Sequence, residues 1–160
     1  MGKDFNPQEI VKIAIEVENN GEKLYEALEN KAADQKVRAV WKYLKEQETA
    51  HSKTFKDMLD KTGEYIVQEF NPGEYQAYLR AIADEYIITS DLAKKKASQG
   101  FKTDLEAIEF AIHIEKESII TYMALKDYVI LSKHPVLDRI IAEEKNHLAD
   151  LVELKNAIKA

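Results

Sequence analysis

The chain has 160 residues, 45% of them hydrophobic, which suits one domain with a substantial core rather than two. A net charge of −6 with interspersed Lys and Glu argues against nucleic acid or an anionic membrane as the main partner, and no apolar run is long enough to span a bilayer. The absence of cysteine excludes disulfides, thiolate metal sites, iron–sulfur clusters and cysteine nucleophiles within this chain.

The opening Met1-Gly2-Lys3-Asp4-Phe5 lacks the layout of a signal peptide, and a cytoplasmic location is expected. Only 5 Gly and 3 Pro interrupt the chain, and apolar residues recur at helical spacing, so the fold class is all-α. Helix A is predicted over about 7–32, with Asn6 as cap, Pro7 in the first turn, Glu9 closing a capping box, and a stripe of Ile10, Ala14, Val17, Leu24 and Leu28. Asp34 caps helix B, about 35–62, which turns Val37, Trp41, Leu44, Phe55 and Met58 inward and stops at Gly63. A connection of about 64–102 contains Asn71-Pro72-Gly73 and an amphipathic stretch from Glu74 to about Ala97 that should form its own helix. Thr103 and Glu106 make a capping box for helix C, about 104–131, striped with Ile108, Ile112, Ile119 and Leu125. Pro135 opens helix D, about 135–158. The result is one domain over 1–160, a four-helix bundle of two helical hairpins joined by a long helical crossover.

The two hairpins look like copies of one unit. Ile15-Glu16-Val17-Glu18, with Tyr25 seven residues on, matches Ile112-His113-Ile114-Glu115 with Tyr122; Glu48-Thr49-Ala50-His51 matches Glu144-Lys145-Asn146-His147. Glu and His three residues apart project from one helix face, so each Glu-x-x-His pair offers an oxygen and a nitrogen to a single point. Both pairs fall within apolar stripes, where a charge is costly unless paired or metal-bound. About a turn near residue 33, Glu18 and Glu48 each lie roughly 22 Å along their arms and so meet at one level, and a turn near residues 130–132 aligns Glu115 with Glu144 in the same way. Four carboxylates and two imidazoles then converge, a ligand set whose four negative charges two divalent ions would cancel. Oxygen-rich ligands with one imidazole per metal suit iron or manganese better than a tetrahedral zinc site.

With these motifs the sequence resembles the rubrerythrin-like branch of the ferritin-like superfamily from about Gln8 to Leu154. The resemblance implies two iron ions, manganese or a mixed pair being possible, with Glu48 and Glu144 bridging, Glu18 and Glu115 terminal, and His51 and His147 as nitrogen ligands. It further implies a peroxidase that acts in oxidative-stress defence, reducing hydrogen peroxide with two electrons from the di-iron(II) state. Rubrerythrins usually carry a second Glu one turn after the helix C ligand, where this chain has Ser118, and often a cysteine-ligated rubredoxin domain, which it lacks. An external rubredoxin-like or flavin electron donor is therefore expected, together with a homodimer. A role in iron oxidation and storage or in dioxygen reduction, and a metal-free structural bundle, are the competing readings.

Tyr25 and Tyr122 lie two turns from Glu18 and Glu115 and can each donate to a ligating carboxylate, although core packing explains them almost as well. Gly21 costs a helix interior about 1 kcal/mol relative to Ala and is the repeat equivalent of Ser118. Small residues at both positions leave room for peroxide or dioxygen, or else permit close helix packing. His113 points away from Glu115 and His134 precedes Pro135; neither has a Glu three residues earlier, and both read as non-ligands.

Overall fold

The structure is a computed structural model that describes residues 7–59, 73–127 and 131–159. Five α-helices run in chain order: α1 over Pro7–Lys31, α2 over Gln35–Leu59, α3 over Glu74–Gln99, α4 over Asp104–Lys126 and α5 over His134–Lys159. Helices α1 and α2 pack as one hairpin and α4 with α5 as the other, while the crossover α3 lies along α1 and α4. Among the described residues there is no strand, and no helix is long and apolar enough to cross a membrane.

Local chemistry accounts for most of the boundaries. Asp34 Oδ1 accepts from the backbone N–H groups of Lys36 (2.7 Å) and Val37 (3.1 Å), which satisfies two donors at the start of α2. Thr103 Oγ1 accepts from Glu106 N at 3.1 Å, but Glu106 returns its carboxylate to Lys102 N rather than to Thr103 N. Gly73 and Gly100 bracket α3 with φ of 85° and 77°, a left-handed conformation that favours glycine. The Asn6 cap, Ile10 in the stripe and the Gly63 stop lie outside the residues or side chains described. Helix C is shorter than predicted: α4 ends at Lys126 rather than near 131, because Asp127 N–H turns to the carbonyls of Ala124 and Leu125 and tightens the last turn. A short 3₁₀ turn, Leu131–Lys133, then leads into α5.

The buried residues form two apolar clusters with a polar layer between them. One contains Val11, Ala14, Val17, Phe55, Met58, Leu125, Leu137 and Ile140; the other contains Leu24, Leu28, Val37, Trp41, Leu44, Ile108, Ile112 and Leu151. These clusters cover the ionisable layer from both ends of the bundle.

Candidate metal centre

All six predicted ligand residues are buried in that layer, none more than 4% exposed. Ligand atoms of Glu48, Glu115, Glu144 and His147 lie within 4.8 Å of one another, and those of Glu18, His51 and Glu144 do likewise. Glu144 belongs to both groups, and Glu48 interacts with the Glu18 carboxyl of the other, so Glu144 joins the two groups and Glu48 lies beside both. His113 is exposed, and neither it nor His134 joins either group.

The atoms point at one another without satisfying one another. His51 Nδ1 lies 2.7 Å from Glu144 Oε1 and 3.5 Å from Glu18 Oε2; His147 Nδ1 lies 3.7 Å from both Glu115 Oε2 and Glu144 Oε2. Yet Glu18 Oε2, Glu115 Oε2, both Glu144 oxygens and the Nδ1 atoms of both histidines make no aligned hydrogen bond. An unsatisfied buried polar atom costs about 1–3 kcal/mol, so such a set needs a third party. Two ligands bonded at about 2.1 Å at right angles to a metal stand roughly 3 Å apart, close to the spacings here. The residues present thus fit a pair of metal ions held by carboxylate oxygens and one imidazole each.

The electrostatics of the metal-free protein point the same way. Burial raises the carboxyls of Glu18 and Glu48 well above the usual range, with neighbouring carboxylates adding to the effect. Burial and the Glu144 charge push Glu115 up to about 8. Burial alone would lower the histidines, but the close carboxylates of Glu144, Glu48 and Glu143 hold His51 at about 9, and those of Glu115 and Glu144 hold His147 at about 10. Glu144 is held below the ordinary carboxylate range despite its burial, by His147 and His51. Without a cation, protons take over the charge balance.

The tyrosines cross between hairpins. The Tyr25 hydroxyl donates to Glu115 Oε1 and that of Tyr122 to Glu18 Oε1, so each phenol orients a buried carboxylate of the opposite unit. Tyr25 also stacks on Trp41, with centroids 5.8 Å apart. Sequence reasoning missed Glu143, whose Oε2 lies 2.8 Å from His51 Nε2 and fixes that ring from its outer edge. Its place directly before Glu144 was the available signal, since the adjacent helical position points about 100° away, toward the neighbouring α2.

Fold and site together define a ferritin-like helical bundle with a buried carboxylate–histidine centre. The sequence profile of the rubrerythrin family matches residues 9–155, and the chain belongs to that family. A solved structure of a candidate ferritin-like di-iron carboxylate protein from Thermotoga maritima is similar at 25% identity and a TM-score of 0.68, with 98% of each chain covered. No match is found among curated proteins.

Proposed function

We propose that the protein is a non-haem di-iron peroxide reductase that takes electrons from a separate rubredoxin-like or flavin donor and works as a cytoplasmic homodimer. The observation that carries this reading is the convergence of four buried glutamates and two buried histidines, five of which keep inward atoms that make no aligned hydrogen bond. Two Fe(II) ions would supply the two electrons that, with two protons, convert hydrogen peroxide into two waters.

The residues of the chain do the rest. Glu48 and Glu144 would be shared between the two metal positions, Glu18 with His51 and Glu115 with His147 would complete them, and the four carboxylates would balance the charge of two divalent ions. Tyr25 and Tyr122 hold the terminal carboxylates in place by donating to the oxygen that faces away from the centre. Glu143 accepts from the outer nitrogen of His51 and keeps its Nδ1 turned inward. The apolar clusters on both sides exclude water from a reaction that must not leak its oxidising power.

Stopped-flow mixing of anaerobically reduced, iron-loaded protein tests the proposal. One equivalent of hydrogen peroxide should oxidise each centre rapidly, dioxygen should do so more slowly, and further turnover should wait for donor. Faster reaction with dioxygen than with peroxide would replace this reading by an oxidase or iron-handling role.

A further inference from the structure

A cavity of about 20 Å³ lies between α1, α3 and α4, lined by Asn20, Gly21, Ser90, Ala93, Ser118 and Thr121 among others, and is partly open to the surface. Gly21 and Ser118, equivalent positions of the two repeats, thus flank one opening. A methyl group built on Gly21 would lie 2.6 Å from Glu48 Oε2, so the glycine that lines the cavity is also packed directly on that carboxylate. The opposite face is covered by the stacked His51 and His147 rings, with Tyr43 edge-on to His147 and Glu143 against His51.

The lining has a chemical preference. Ser118 Oγ donates to Ile114 O (3.1 Å) and Thr121 Oγ1 donates to Glu117 O (2.8 Å), which leaves their lone pairs as acceptors. Ser90 Oγ accepts from Asn20 Nδ2 at 2.8 Å, a bond that ties the crossover helix to α1 over the opening. A cavity needs about 10–15 Å³ to hold one water, so this one admits a molecule of one or two heavy atoms and excludes branched ones. We propose that this cavity is the entry and holding site for hydrogen peroxide, which it holds by accepting its O–H groups and selects over alkyl hydroperoxides by size. The proposal rests on the peroxide-reductase reading and names the route by which that substrate reaches the Glu48 side of the centre.

Two fillings from different walls test it: Ser118→Leu from α4 and Ala93→Leu from α3, with Leu92→Phe, exposed on the same crossover helix, as control. In metal-free protein, dissolved dioxygen used as a paramagnetic probe should relax the methyls of Val17, Leu24 and Ile114 more than those of Leu44 or Ile140, and either filling should abolish the difference. In iron-loaded protein each filling should lower the second-order rate with hydrogen peroxide at least tenfold while iron content stays unchanged. The natural protein should react far more slowly with tert-butyl hydroperoxide. Loss of the methyl response with an undiminished peroxide rate in either folded variant overturns the route alone, as does the absence of any methyl response. A natural protein inert to peroxide but showing the methyl response overturns the peroxide-reductase reading and this choice of ligand, and leaves the cavity standing.

Discussion

Gly21→Ala separates the needs of the helix from those of the centre. In an open helix the change would stabilise by about 1 kcal/mol through backbone propensity. Here the new methyl would lie 2.6 Å from Glu48 Oε2 and 2.9 Å from its Cδ, closer than any real contact, so the carboxylate must move. It is the end of a flexible side chain, and moving it costs the metal-free fold little. The metal-free melting temperature should therefore stay within a few degrees of that of the natural protein. Metal binding should suffer, because a displaced Glu48 carboxylate no longer meets the neighbouring ligand atoms properly. With metal at about a hundred times its dissociation constant, binding adds about 2.7 kcal/mol, and a tenfold weakening reduces that to about 1.4 kcal/mol. At roughly 2–4 °C per kcal/mol for a chain of this size, the metal-induced shift should fall from roughly 5–11 °C to roughly 3–6 °C. Paired thermal melts with and without ferrous or manganous ion, supported by calorimetric titration, would measure it. An unchanged metal-induced shift and full stoichiometry in Gly21→Ala would show that Glu48 is not held where it must be to bridge.

Removal of metal should itself lower the melting temperature, and identical melts with and without chelator would favour a bundle that binds nothing. In the metal-free protein the native state keeps protons on Glu115 up to about 8, on His51 up to about 9 and on His147 up to about 10, whereas the unfolded chain releases them near 4.5 and 6.5. Native protein therefore binds more protons than unfolded protein across this window, and stability should fall as pH rises from about 6 to 9, by about 1.4 kcal/mol per pH unit for each extra proton. Metal displaces those protons, so the gap between loaded and metal-free melts should widen with pH; a gap that narrows would contradict the protonation pattern. Glu18→Ala and Glu115→Ala should each empty one metal position, and full occupancy in either variant, read by elemental analysis, would break the symmetric assignment. Tyr25→Phe and Tyr122→Phe should weaken metal binding about 10–100-fold by freeing Glu115 or Glu18 to rotate, and unchanged titrations would reduce both tyrosines to packing.

The convergence of the six Glu and His residues was legible in the sequence because the cost of burying them is local. A Glu or His in an apolar stripe demands an explanation wherever the helix goes, and the repeat supplied that explanation twice. The inward stripe of α2 needed only helical periodicity, and Val37, Trp41, Leu44, Phe55 and Met58 are all buried. What periodicity could not show was which neighbour each side chain meets. The exchange of Tyr25 and Tyr122 between hairpins depends on how α1 and α4 face each other across the bundle, and the bond from Glu143 to His51 depends on the approach of α2 to α5. The early end of α4 turned on the carbonyls that Asp127 N–H prefers, which no pattern of hydrophobic residues encodes.

Gly21 shows the same division within one residue. From sequence, a glycine in a helix interior meant either space for a small molecule or close packing, and these were competing readings. The structure makes both true, because the atom packed against Gly21 is the Glu48 carboxylate and the space lies on the other side, toward Ser118 and the crossover. Duplication of one hairpin produces a centre with near-twofold ligands and would by itself make both faces alike. Helix α3 has no counterpart in the repeat. By lying across α1 and α4, with Ser90 bonded to Asn20, it walls one face of a near-symmetric Glu/His set and leaves the histidine face to Tyr43 and Glu143. The segment with the weakest sequence signal is thus the one that distinguishes the two faces of the centre, because access depends on what covers the ligands rather than on the ligands themselves.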